Sequence, residues 1–203
     1  MEIIHEFSFK TEERIRNGYT VKTEVYIRRG WEILLKRIDY FILFTLILFV
    51  GSSIPLAGLL IMQPLAAGLL LVAFYLASGR EIVFENFFDG FKHFAGLVLF
   101  TLISGILIFF GLLALILPGV YLSVGYIFAP FYIIFARMDF WGAMESSRKL
   151  VHREWLSVFV FIIALALINL LGLLAFGVGL LITVPLSYCA LYAAFDDIIG
   201  VSN

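Results

Sequence analysis

WLSVFVFIIALALINLLGLLAFGVGLLITVPLSYCALYAAF, Trp155 to Phe195, runs for 41 residues without Asp, Glu, Lys, Arg or His. A helix crosses the hydrocarbon core of a bilayer in about 20 residues, so this length accommodates two crossings. Leu, Ile, Phe and Val each favour insertion by about 0.3–0.6 kcal/mol at a helix centre. Summed over such a run, insertion is favourable without help from a partner. The middle of the run, Gly172–Gly179, reads GLLAFGVG, and glycine ends helices because it tolerates the left-handed backbone of a C-terminal cap. The element expected here is a helical hairpin, with spans at about 156–173 and 177–195.

Two further runs share this character: Tyr40–Gly79, with GSSIPLAG at Gly51–Gly58 near its middle, and Phe94–Ala136, with LPG at Leu117–Gly119. Proline ends helices by lacking an amide donor. The corresponding spans are 40–56, 58–78, 95–117 and 120–136. The expected fold is therefore all-α: a polytopic membrane helix bundle of six transmembrane helices in three tight hairpins (about 40–78, 95–136 and 156–195). Residues 1–25 form a cytoplasmic N-terminal segment, and residues 26–203 the transmembrane domain.

Composition agrees. Of the 203 residues 63% are hydrophobic and 14% charged, against about 25% charged in soluble domains. A net charge of −1 argues against nucleic acid as a partner, since its binders carry a strongly basic face. The lone Cys189 excludes an intramolecular disulfide framework and a cysteine-rich metal site, and packing is its expected role. The first residues, MEIIHEFSFKTEERIRNG, mix charges and lack the apolar core of a signal peptide. They are expected to stay on the side where they are made, with EIIHEFSFK a short strand or disordered.

All 14 Lys and Arg residues fall in the N-terminal segment, the 80–93 linker and the 137–154 linker, eight of them before residue 38. By the positive-inside rule these segments are cytoplasmic. An even number of crossings returns the C-terminus, with Asp196 and Asp197, to the same side. The expected location is the cytoplasmic membrane, multi-pass, with both termini cytoplasmic.

Each hairpin follows a short amphipathic stretch. Phe84, Phe87, Phe88, Phe91 and Ala95 form one face of an α-helical wheel, with Glu85, Asn86, Asp89, Lys92 and His93 opposite. Phe140, Met144, Ser147 and Val151 do the same beside Trp141, with Glu145 and Lys149 on the polar side. Ahead of the first run, Ile27, Trp31, Leu34 and Ile38 make a stripe against Arg28, Arg29, Lys36 and Arg37. Such helices lie in the membrane interface, and Trp31, Trp141 and Trp155 are the expected interfacial anchors. The sharper reading is a docking surface for a cytoplasmic protein partner, or for anionic lipid headgroups drawn to Arg28–Arg37.

GLLITVPL at Gly179–Leu186 has a near copy in GLLIMQPL at Gly58–Leu65, with six of eight residues identical at an offset of 121. Pro64, Pro130 and Pro185 each fall in the second helix of a pair, where proline kinks helices. The hairpins read as a parallel internal repeat, an arrangement known among transporters. The middle hairpin aligns only by its proline.

From Ile116 onward, LPGVYLSVGYIFAPFYIIFARMDFWGAMESSRKLVHREW, followed by LINLLGLLAFGVGLLITVP, resembles bacterial integral-membrane proteins grouped with the membrane domain of glycerophosphodiester phosphodiesterases. The LPG turn, the proline in the next helix, the Ala143/Ser147 elbow and the glycine-rich last hairpin carry the likeness. It covers the last hundred residues well and the first hairpin loosely. The resemblance implies a six-helix membrane module. No phosphodiesterase activity carries over, because that chemistry belongs to a separate catalytic barrel.

Reactive constellations are missing from the sequence. His5, His93 and His152 are far apart and no His-Glu-x-x-His accompanies them, so neither a metal nor a cofactor is expected. No carboxylate, histidine or basic side chain lies within the apolar runs, which disfavours proton coupling. The polar groups there are Gln63, Ser104, Ser123, Asn169, Thr183 and Ser187. Gln63 and Asn169 are expected to point inward, and with Thr183 they are the candidates for a pocket or for helix packing. Gly-x-x-x-Gly, a membrane dimerisation motif, does not occur. The expected function is a non-enzymatic scaffold or interaction module at the cytoplasmic membrane face. The alternative is a transporter or channel for an uncharged or lipid-like solute, with a cavity near Gln63, Asn169, Pro64 and Pro185.

Overall fold

The computed structural model describes residues 2–53 and 57–201. In chain order its elements are α1 (Glu2–Asn17), α2 (Thr23–Leu35), α3 (Ile38–Ser52), α4 (Ala57–Ala77), a 3-10 helix (Phe84–His93), α5 (Phe94–Ala114), α6 (Ile116–Gly125), α7 (Ala129–Phe135), α8 (Phe140–Arg153), α9 (Trp155–Leu174) and α10 (Leu180–Ile199). There is no strand among the described residues. Among the described residues, five helical stretches are long and apolar enough to cross a membrane: Leu60–Ala77, Phe84–Ala114, Ile116–Phe135, Trp155–Leu174 and Leu180–Ile199. The sixth apolar helix, α3, is shorter at 15 residues. The turn expected at Gly51–Gly58 falls partly on residues 54–56, outside the described residues.

The chain divides into two compact units, one of Met1–Val21 with His93–Val160, the other of Lys22–Lys92 with Phe161–Asn203. In the first unit, α5 runs antiparallel to α6 and α7. A Cβ on Gly111 would meet the Gly119 Cα at 3.0 Å, and one on Gly96 would meet Ile133 at the same distance. The turn is not LPG. It is the extended Leu115 (φ −160°, ψ 136°), and Leu117-Pro118-Gly119 forms the first turn of α6. Proline is tolerated there because first-turn amides have no helical acceptor to lose. Pro130 is likewise no kink within a helix: it opens α7 after a break at Tyr126–Phe128.

α1 corrects the strand-or-disorder expectation for EIIHEFSFK, since the segment is helical from Glu2. Its buried Phe7 meets the Tyr132 ring edge-on at 6.4 Å, and the hydroxyls of buried Thr11 and Tyr132 lie 2.7 Å apart. Tyr19 then donates to the Leu150 carbonyl at 3.0 Å. The sequence did not betray this because the apolar face of α1 is narrow, and Phe9 sits opposite it, exposed.

In the second unit, the C-terminal halves of α4 and α10 are the core. Leu65–Ala73 of α4 is buried throughout, as is most of Pro185–Ile199. The 3-10 helix crosses α4 so closely that a methyl on Gly68 would overlap the Phe87 carbonyl oxygen, and one on Gly90 the Pro64 carbonyl oxygen. In a 3-10 helix residues three apart eclipse, so Phe87 and Gly90 point inward. Phe88 and Phe91, read in the sequence on one apolar face with Phe87, are exposed where Phe87 is buried. Between α9 and α10 a Cβ on Gly179 would lie 2.7 Å from the Gly172 Cα. Gly51 and Gly58, 121 residues earlier, are apposed in the same way, with 3.0 Å from a Gly58 Cβ to the Gly51 oxygen.

Candidate functional site

The densest polar arrangement in the second unit fastens α2 to the end of α10. Gly30 is the fulcrum, since a Cβ there would lie 2.7 Å from the Ala190 amide nitrogen and 2.9 Å from its Cα. The face of α2 that this buries is Tyr26, Gly30, Ile33 and Leu34. It is rotated from the stripe read in the sequence: Leu34 is buried, but Trp31 is 40% exposed and Ile38 lies beyond the helix. Arg29 Nη2 reaches Asp196 Oδ2 at 2.6 Å, and the Asp196 side chain is only 4% exposed. The other oxygen, Oδ1, accepts from the Val201 amide at 2.9 Å. Gly200 makes that return possible through a left-handed backbone (φ 78°). Asp197 accepts from the Tyr26 hydroxyl at 2.8 Å and from Lys22 at 3.3 Å. Burial, then the bond to Asp197, pushes the Tyr26 hydroxyl well above the usual tyrosine range, so it stays protonated and donates.

Most of the basic cluster Arg28–Arg37 has partners within the chain. Arg29 is paired with Asp196. Lys36 donates to the Leu76 carbonyl at 2.7 Å. Arg37 pairs with Asp39 at 3.2 Å and lies 3.4 Å above the Tyr40 ring. Three of the four residues expected to attract headgroups are thus committed within the chain, while Arg28 remains exposed. It rims a shallow apolar groove with Ile27, Trp31 and Leu186.

A second polar cluster joins α9 to α10. Asn169 Nδ2 donates to Ser187 Oγ at 2.8 Å and to the Leu165 carbonyl at 3.0 Å, and Ser187 Oγ donates to the Thr183 carbonyl at 2.9 Å. Asn169 Oδ1 and Thr183 Oγ1 are buried atoms without a hydrogen-bond partner. The Thr183 hydroxyl abuts Gly172, where a methyl would overlap it. Asn169 and Thr183 are therefore brought together. Gln63 is not part of this group; it is half-buried in α4 beside buried Pro64. Backbone closes over Pro64, because Gly90 lies against its carbonyl. Pro185 is buried inside α10.

In the first unit the break between α6 and α7 is held from outside. Ser147, fully buried on α8, donates to the Gly125 carbonyl at 2.6 Å and accepts from the Phe128 amide at 3.1 Å. One hydroxyl thereby satisfies two of the backbone groups that the break frees, a need that any interrupted helix creates. Asp139 caps α8, accepting from the Trp141 and Gly142 amides at 3.1 Å. Arg148 forks onto Glu145 at 2.8 and 2.9 Å, a stronger link than the expected Glu145–Lys149 pair at 3.5 Å. Trp141 is 58% exposed. Trp155 is half-buried, stacked on Phe159 at 5.1 Å, with its indole donating to the Tyr121 carbonyl at 3.3 Å.

Ser104 is buried in α5, and Ser123 donates to the Gly119 carbonyl at 2.6 Å. His5 is exposed, and His152 Nδ1 lies 2.9 Å from the Tyr121 hydroxyl. Among the described residues no three His, Cys, Asp or Glu side chains gather as metal ligands would. The roles of Asp196, Asp197 and Ser147 as fasteners were missed at the sequence level. Asp196 and Asp197 showed only as charges at the edge of an apolar run, and Ser147 only as a small polar residue on the apolar face of its stretch. No protein family matches this chain, and neither does any curated protein or solved structure.

Proposed function

We propose that this protein is a non-enzymatic, multi-pass integral membrane protein that works as a scaffold or interaction module at the cytoplasmic membrane face, with both termini on the side of its basic residues. One observation carries the reading: the polar side chains that pack together are spent on fastening helices, as in Arg29–Asp196, Tyr26–Asp197 and Ser147 across the α6/α7 break. What is left for partners is the outer surface of the amphipathic helices, where Arg28, Trp31 and Trp141 are exposed. The likeness of residues 116–185 to membrane modules that lack a catalytic barrel fits the same role. A photo-crosslinker placed in cells at Arg28, Trp31 and Trp141 tests it. The expected result is a discrete protein adduct at one or more of these positions, and lipid adducts alone at all three would refute the scaffold.

A second reading, transport of an uncharged or lipid-like solute, has one observation in its favour: the partnerless Asn169 Oδ1 and Thr183 Oγ1. Buried polar atoms normally find partners, and a solute amide or hydroxyl would supply them. Native mass spectrometry from lipid checks this: an adduct retained by the wild type and lost in Asn169→Leu supports it. The close backbone packing at Pro64 weighs against a cavity on that side.

A further inference from the structure

We propose that the α5–α6 hairpin does not cross the bilayer but is held, by an apolar face and tip, in the leaflet on the basic side. This rests on the membrane reading above and corrects how much of the chain crosses. Length and composition alone would let both halves of the hairpin span. The contacts of α8 argue otherwise.

α8 runs antiparallel beside α6. Ser147 touches the backbone at Gly125 and Phe128, and the indole of Trp155, just beyond α8, reaches the backbone at Tyr121. His152 meets the Tyr121 hydroxyl. Along this length α8 carries Glu145, Arg148, Lys149, His152 and Arg153, none of them buried, with Lys149 59% exposed at the side chain. Ionised groups facing hydrocarbon are costly and rare. Long basic side chains can snorkel to water, but Arg148 is instead forked onto Glu145 of its own helix. α8 therefore belongs at the aqueous boundary, and so does whatever lies level with it.

That places Tyr121 at the boundary, together with Trp155, an aromatic suited to it. The hairpin tip at Ile116 is five residues further, about 7.5 Å at 1.5 Å per residue. Measured instead from Gly125, where the short Ser147 side chain makes contact, the tip is nine residues away, about 14 Å. The hydrocarbon core is about 30 Å thick. On either count the tip stops short of the middle.

The surface it presents suits acyl chains. Leu99, Leu102, Ile106, Phe109 and Leu113 recur at helical spacing along α5 and are all exposed, on the side away from buried Leu97, Phe100 and Ser104. Leu115, Ile116 and Leu117 at the tip are 70–80% exposed. A continuous apolar face, with a charged helix packed behind it, is the pattern of an element lying in one leaflet.

The test places single cysteines at Leu117 and, as a second tip site, Ile116, with Phe176→Cys as reference, all in a Cys189→Ala background. Phe176 is fully exposed at the tip of the third hairpin. Nitroxide depth measurements and an impermeant maleimide are applied to the protein in sealed proteoliposomes of known orientation. Expected are spin labels at positions 116 and 117 on the basic side of the bilayer centre, less than about 15 Å into the hydrocarbon, with no maleimide reaction from the opposite side. The Phe176→Cys label is expected to react only from that opposite side. Reaction of Leu117→Cys or Ile116→Cys from the opposite side, or a depth at or past the bilayer centre, overturns the proposal while leaving a multi-pass protein intact. If Phe176→Cys fails to react from the opposite side, the multi-pass reading itself falls.

Discussion

Gly30→Ala tests the attachment of α2 to α10. The added Cβ would start 2.7 Å from the Ala190 nitrogen, 2.9 Å from its Cα and 3.1 Å from its Cβ. Carbon contacts settle near 3.5–4.0 Å, so the two helices must part by several tenths of an ångström. Two of the three near atoms are backbone in the middle of α10, so no rotamer change relieves them. Overpacking of this kind costs about 1–3 kcal/mol. The parting also strains the 2.6 Å Arg29–Asp196 pair one residue away, which places the expected loss in the upper part of that range. Ala190→Gly removes only the 3.1 Å contact, so it should restore little of the loss in the double variant. Reversible unfolding in mixed micelles gives the free energies, and trypsin cleavage at Arg28–Arg29 reports undocking of α2. Two results would refute the reasoning: a Gly30→Ala protein within about 0.3 kcal/mol of wild type, below the stated overpacking range, or full rescue by Ala190→Gly.

Arg29→Met leaves the nearly buried Asp196 carboxylate without its cation. Hydrogen bonds to charged groups contribute about 1.5–3 kcal/mol, a loss that Asp196→Asn in the same chain should partly recover, as a thermodynamic cycle would read. Ser147→Ala leaves the Gly125 carbonyl and the Phe128 amide unsatisfied and should cost about 1–3 kcal/mol; faster amide exchange at Phe128 and Ala129 localises the effect. Arg148 beside Glu145, opposed by partial desolvation, holds this carboxyl below its ordinary 4.5. A depressed folded value means that the stabilisation is complete above about pH 4.5 and is lost as pH falls through the folded value. Glu145 is 39% exposed at the side chain, so solvent screening limits the effect to about 0.2–1 kcal/mol. Glu145→Gln should flatten that part of the acid-unfolding curve, and an unchanged curve would count against the pair.

What could be read along the chain follows from additive, local quantities. Transfer free energies summed over Tyr40–Gly79, Phe94–Ala136 and Trp155–Phe195 identify apolar helices, and glycine near Ala175–Gly179 ends one because of its own backbone freedom. The helical nature and the apolar, membrane-compatible character of these helices were legible on those terms. Where the local rule had two solutions, it failed. Pro118 could end a helix or sit in its first turn, and FENFFDGFKH could wind at 3.6 or at 3.0 residues per turn.

Tertiary structure decided the rest, because pair contacts carry no periodic trace in the sequence. The inward face of α2 is chosen by Ala190, 160 residues away, whose backbone accepts only a glycine opposite it. Arg29 and Lys36 look like a basic surface until Asp196 and the Leu76 carbonyl are placed beside them. Hydropathy likewise says that α5 and α6 prefer lipid to water. How far they can enter is set by the charged helix that Ser147 pins to Gly125, since the cost of burying ionised groups limits the depth of every segment packed alongside them.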